Sequence, residues 1–270
     1  MRLHTAINYS NGVPSVDIPP QYGRVHTIYQ HEIPHMPHRW KCRREQIGEL
    51  RARGIRVDDD GTVHQAGGSW NRGNLSAFKG TIEGFVRDAL PKDFAGPCML
   101  NIESLPLDDP DAHPYLAELV RAIIDRGLGN QIGFYHAFRY RNGDFKATPI
   151  APKGLASCNF VSLYVYTKLI VQGRPWTTAE DNWSHWYSER LPSVRAAADS
   201  GLPSFAMISI GSDVFGMVSS DHLRHVITQA SAWGFKDLLV WGAMRDPKEP
   251  PYMSQVLRGV RDFCRETGLI

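Results

Sequence analysis

No run of 18 apolar residues occurs in this 270-residue chain, so no segment has the length and composition of a membrane-crossing helix. An excess of one charge sign is also missing. Thirty basic residues face 28 acidic ones, for a formal net charge of +2, which gives no electrostatic footprint for nucleic acid. The basic cluster Lys41-Cys-Arg-Arg44 is short and reads as a solvated helix start. Cysteine is scarce, at positions 42, 98, 158 and 264, without metal-ligand spacing. Cys98 and Cys158 open apolar runs and read as small buried hydrophobes. The first residues, Met-Arg-Leu-His-Thr-Ala, hold no apolar signal core. A trimmed precursor would leave both a cytoplasmic and a secreted location open. A G-x-G-x-x-G after the first strand is lacking, which argues against a doubly wound nucleotide fold. A G-x-S-x-G elbow is lacking too, which argues against a serine hydrolase of that type.

Apolar residues make up 42% of the chain, enough for a full core in one domain spanning residues 1–270. Short apolar runs alternate with helical stretches. Strands are expected at 3–8, 25–30, 99–103, 132–136, 161–166, 204–210 and 238–241. Helices are expected at 43–53, 75–89, 114–126, 183–200, 223–233 and 253–267, with Gly54 and Gly234 as stops. This repeat predicts an α/β fold, a distorted TIM-like barrel with about seven parallel strands, (β/α)7. In such a barrel the chemistry gathers where the strands end.

The most telling stretch is Cys98-Met-Leu-Asn-Ile-Glu-Ser104, an apolar run ending on one carboxylate. Residues i and i+2 of a strand share a face, so Asn101 and Glu103 would stand together at the strand's exit. A carboxyl in such a cleft suits general acid catalysis, although a strand-end carboxylate also caps turns. The other strand ends would add Tyr135, Tyr164 and Trp241, flat rings of the kind that stack on sugars. Trp70, between Gly67-Gly68 and Gly73, would belong to a substrate loop or anchor that loop. Glycoside hydrolysis normally pairs an acid with a base or nucleophile. Glu32 and Asp213 are the candidates for that second carboxylate, each also readable as a surface group. His31, His35 and His38 flank Glu32, but Pro34 and Pro37 share their loop and the spacing fits no rigid zinc pattern. No metal and no cofactor is expected.

The segment Gly67-Gly-Ser-Trp-Asn-Arg-Gly-Asn-Leu-Ser-Ala-Phe78, continuing through Leu90-Pro-Lys-Asp-Phe-Ala-Gly96 to Asn101-Ile-Glu103, resembles the hyaluronidase family of glycoside hydrolases. It is similar to that family's Gly-Gly-Ile-Pro-Gln-x-Gly-Asn-Leu, Ile-Pro-x-x-Phe-x-Gly and catalytic Asp-x-Glu, in order and spacing. Gly133-Phe-Tyr135, Tyr164, Leu202-Pro203 and Trp241-Gly242 extend the likeness over about residues 24–242. The resemblance implies a seven-stranded barrel. It also implies Glu103 as proton donor and Trp241 under an acetamide pocket, with the substrate's own acetamide as nucleophile. Two departures stand out. Asn101 occupies the aspartate's place, and an amide lacks the charge that would stabilise an oxazolinium ion. The family tyrosine after the Gly-Phe-Tyr segment falls nearest Tyr140 or Arg141, and that of the sixth strand falls on Met207.

The expected activity is therefore glycoside hydrolysis of a polysaccharide or oligosaccharide, with Glu103 as general acid. Two alternatives stay open: a noncatalytic carbohydrate-binding barrel, and a structural or assembly protein. The expected partner is a carbohydrate, not nucleic acid or membrane. Oligomeric state is left open.

Overall fold

The computed structural model describes residues 1–9, 16–36, 38–41, 44–52, 56–65, 72–102, 113–135, 139–141, 144–148, 159–165, 170–171, 174–175, 191, 194–195, 198, 201–209, 211–212, 216–217, 220–244 and 249–270. Eight strands form the main sheet: β1 (Arg2–Tyr9), β2 (Tyr22–Arg24), β3 (His26–Tyr29), β4 (Cys98–Asn101), β5 (Ile132–Tyr135), β6 (Phe160–Tyr164), β7 (Ser204–Ser209) and β8 (Asp237–Met244). Their order is β2-β1-β8-β7-β6-β5-β4-β3. From β3 to β8 each strand neighbours the next, β8 lies beside β1 and β1 beside β2, and β2 and β3 stand at the two ends of the order. The fold is a TIM-like α/β barrel with eight parallel strands. The strand expected at 25–30 is preceded by a further short one. Val25 separates the two and donates its N–H to the Thr5 carbonyl at 2.9 Å, the last rung onto β1.

The chain divides into two compact units. The first holds Met1–His26, Tyr135–Pro149 and Asn159–Ile270. In it the period-2 pattern gives β1, β6, β7 and β8 two unlike faces. One carries Leu3 and Thr5, Val161 and Leu163, Ala206 and Ile208, and Leu238 and Val240, all buried. This nearly all-aliphatic face suits a helical cover. Helices α4 (Ser220–Ala232) and α5 (Glu249–Glu266), numbered here after three in the second unit, pack on β7 and β8 respectively. They bury Leu223, Val226, Ile227 and Ala230, and Met253, Leu257, Val260 and Cys264, at the spacing of a single helical stripe. The other face carries Arg2 and His4, Ser162 and Tyr164, Phe205 and Met207, and Asp237, Leu239 and Trp241.

Residues 16–21 lead into β2. The Asp17 N–H donates to Ser254 Oγ at 2.9 Å, and Tyr22 Oη donates to the Leu257 carbonyl at 2.9 Å, so this segment lies along α5.

The second unit holds Thr27–Phe134 and Ile150–Cys158. It contains α1 (Ile47–Ala52), α2 (Arg72–Ala89) and α3 (His113–Ile124). Phe78, Ile82 and Val86 of α2 are buried at four-residue spacing, and Phe78 meets Tyr115 of α3 with ring centroids 5.1 Å apart. Outside that seam Glu118 accepts from Lys79 at 2.7 Å and from Arg121 at 3.0 Å. The helix expected at 183–200 falls mostly outside the described residues. No helix among the described residues is long and apolar enough to cross a membrane.

Candidate functional site

The connections at the two ends of the strands differ in kind. Among the described residues, the connections entering β4, β5 and β8 are short: residues 90–97, 125–131 and 233–236. Several leaving strands carry sheets of their own. After β3 comes an antiparallel sheet of His38–Lys41, Thr62–Gln65 and Arg56–Val57. Hairpins follow β5 (Arg139–Arg141 with Asp144–Thr148), β6 (Ile170–Val171 with Arg174–Pro175) and β7 (Gly211–Ser212 with Gly216–Met217). Investment of chain at the C-terminal ends marks them as the working ends of a barrel.

The entering side is built for holding. Asn130 Nδ2 donates to the Phe94 carbonyl at 2.9 Å and to the Gly96 carbonyl at 2.8 Å, and Arg126 donates to the carbonyls of Pro91 and Lys92. The Leu90–Gly96 segment is thus clamped where the chain enters β4. At the start of β8, Asp237 accepts from Arg2 at 2.7 Å and lies 2.9 Å from His4 Nε2. The His4 ring stacks on Phe205 at 4.7 Å, and Phe205 on Phe160 at 4.5 Å.

In the second unit Asn101 is the last residue of β4 and half-buried. Its Oδ1 is buried and has no hydrogen-bond partner among the described residues. An amide oxygen so placed costs about 1–3 kcal/mol unless something arrives to donate to it. Glu32 follows β3, the strand beside β4. It is exposed, and its carboxylate accepts the Tyr29 N–H at 3.1 Å across a 3-10 turn. That bond gives Glu32 a structural task in the turn. Glu103 and Trp70 lie outside the described residues.

In the first unit Trp241 sits within β8, which runs three residues beyond it to Met244. It is half-buried and registers with Ala6 on one side and Ser209 on the other. A broad indole is thus flanked across the sheet by small residue types. Tyr164 ends β6 and registers with Met207, which registers with Leu239. Tyr164 and Trp241 therefore share a face, with Trp241 one pleat nearer the C-terminal end. Tyr135 ends β5 and is buried. Tyr140 lies in the hairpin after β5, and Asp213 lies outside the described residues.

Two groups are removed from the chemistry. Burial pushes the Cys98 thiol up to about 12 and the Cys264 thiol up to about 11, so neither supplies a thiolate near neutrality. No group of three or more His, Cys, Asp or Glu side chains able to hold a metal occurs among the described residues. The reading of the sequence passed over Ser162, whose buried Oγ also lacks a partner. Its signal was a serine inside the otherwise apolar run 160–165.

These features define a TIM-like α/β barrel, elaborated at its C-terminal strand ends. Among solved structures, bee venom hyaluronidase in complex with a hyaluronic acid tetramer is similar, with TM-score 0.59 and 11% identity, over 87% of this chain and 84% of that one. A monoclinic crystal structure of bee venom hyaluronidase gives TM-score 0.53 and 11% identity, over 87% and 86%. A broad-specificity endoglucanase from an uncultured bacterium gives TM-score 0.45 and 10% identity, over 89% and 69%. No protein-family model and no curated protein matches the chain. At these identities the two hyaluronidase structures share the fold with this chain.

Proposed function

We propose that this protein is a glycoside hydrolase acting on a polysaccharide or oligosaccharide. Glu103 serves as general acid, and Asn101, two residues before it, binds the sugar. The observation that carries the reading is the buried Oδ1 of Asn101, unpartnered among the described residues and two residues before Glu103. It is an acceptor in want of a donor, and sugars offer O–H groups or an acetamide N–H. Trp241 supplies an aromatic face of the kind on which sugar rings stack, with Tyr164 on the same face and Tyr135, Tyr140 and Trp70 as further contacts. The likeness of residues 67–103 to hyaluronidases supports the same assignment.

Asn101 changes the chemistry from that of an Asp-x-Glu pair. Its carbonyl can orient an acetamide through the N–H, but it adds no charge. Where the substrate lacks an acetamide, Glu32 or Asp213 would supply the base or nucleophile.

The test is product release from a panel of acetylated and non-acetylated polysaccharides, comparing the wild type with Glu103→Gln. Turnover that disappears in a folded Glu103→Gln variant is the expected result and identifies the substrate class. Turnover that survives it removes Glu103 from the mechanism. The amide at Asn101 favours a second reading, a noncatalytic carbohydrate-binding barrel. Saturable binding of one of these polysaccharides, without turnover of any, would select it.

A further inference from the structure

On the outer surface of the first unit, away from any strand end, α4 and α5 diverge around a groove of about 170 Å³. Its lining is mixed: Leu223, Ile227, Val256, Val260 and Phe263 supply apolar surface, and Ser220, Arg224, Tyr252 and Gln255 supply polar groups. An engineered dry cavity of about 150 Å³ with an apolar lining accepts benzene, which sets the size of the apolar body that fits.

Two features of the walls go further. Gly259 lies inside α5, where a glycine costs roughly 0.5–1 kcal/mol relative to alanine. A Cβ at Gly259 would meet nothing within 4 Å, so its absence relieves no clash and leaves the groove wider. At the rim, the Arg224 guanidinium lies 5.8 Å from the centroid of the Phe263 ring. Among the described residues Arg224 has no carboxylate partner, whereas Arg258 pairs with Asp17 and Arg261 with Asp262. A slot with an apolar side therefore holds, among its polar groups, a cation without a carboxylate partner among the described residues, beside an aromatic face.

We propose that this groove binds a small monocarboxylate with an apolar body of about six to ten carbons. The body lies against the apolar side chains between α4 and α5, and the carboxylate meets Arg224. This is a second site, independent of the carbohydrate reading.

Titration calorimetry with phenylacetate and its neutral isostere phenylacetamide tests the proposal on the full chain. The expected result is saturable phenylacetate binding, at least tenfold weaker for phenylacetamide and at least tenfold weaker in Arg224→Gln. Gly259→Leu fills the groove and should abolish binding. Gly259→Ala, which also favours the helix, should weaken it and serves if the leucine variant does not fold. Absence of saturation in the wild type overturns the proposal. So does equal affinity for the two probes, or affinity unchanged by Gly259→Ala and Gly259→Leu. Neither probe is a carbohydrate, so these outcomes are separate from those of the Glu103 experiment.

Discussion

His4 Nε2 stands 2.9 Å from Asp237 Oδ1 across the β1–β8 pairing, and Arg2 takes the other oxygen at 2.7 Å. Burial pushes the Asp237 carboxyl up, but the hydrogen bonds from His4 and Arg2 more than offset this and hold it below the ordinary 3.8. A carboxyl depressed in the folded state contributes stability that is whole above its unfolded value and lost as pH falls through its folded value. That contribution is intact above about pH 5 and fades from about pH 4 downward. Asp237→Asn mispairs both partners and should cost about 1–3 kcal/mol at pH 7 by urea denaturation, with the gap to wild type closing at pH 3. Arg2 is largely exposed, so Arg2→Gln should cost under about 1 kcal/mol. A gap for Asp237→Asn that persists unchanged at pH 3 would count against the electrostatic account.

Asn101→Leu separates function from stability. It removes a buried acceptor that has no partner among the described residues, so the unfolding midpoint should hold or rise by the equivalent of about 1–3 kcal/mol. Polysaccharide turnover or binding should be lost in the same protein. A loss of stability would instead assign Asn101 a structural role.

Asn130→Ala removes the amide donor from the carbonyls of Phe94 and Gly96, leaving them longer bonds from Arg126 at 3.4 Å and from the Cys98 thiol at 4.0 Å. A destabilisation of about 1–3 kcal/mol is expected in denaturant titrations. An amide-exchange comparison should show the added opening centred on residues 91–97.

Gly234 ends α4 in the left-handed region, at φ +86°. Its N–H donates to the Ser231 carbonyl and that of Phe235 to the Ala230 carbonyl, so the last turn closes on itself. Gly234→Ala meets no atom within 4 Å, so its cost is conformational, about 1 kcal/mol in the melting equilibrium. A neutral substitution would show that the turn relaxes.

Glu118 links α2 and α3, its carboxyl drawn below the ordinary range first by the hydrogen bond from Lys79, against some burial, and then by Arg121. Lys79 and Arg121 are about half exposed. Glu118→Gln should therefore cost no more than about 1 kcal/mol, and less at high salt. A salt-independent loss of several kcal/mol would mean that the carboxylate carries the helix seam.

Much of the barrel was legible residue by residue. Ala206, Ile208, Leu238 and Val240 are apolar because α4 and α5 cover that face of β7 and β8, and such runs announce buried parallel strands. Gly234 announced the end of α4 because few other residues accept its backbone geometry. The small sheets at 38–65, 139–148, 170–175 and 211–217 were not legible. Their strands are two to five residues long and largely polar, too short for a period-2 pattern to stand out.

The site divides in the same way. Local order alone made Asn101 a strand-end residue and set Glu103 two positions further on, because alternation along a strand is a property of the chain itself. The likeness of residues 67–103 to hyaluronidases was also a matter of order and spacing. Tertiary structure decided what no spacing encodes: that Asn101 Oδ1 is buried without a donor among the described residues, that Glu32 is engaged by the Tyr29 N–H, and that Ala6 and Ser209 flank Trp241. Hydrogen-bond satisfaction and strand register depend on which distant segments meet, and only the folded chain brings those segments together.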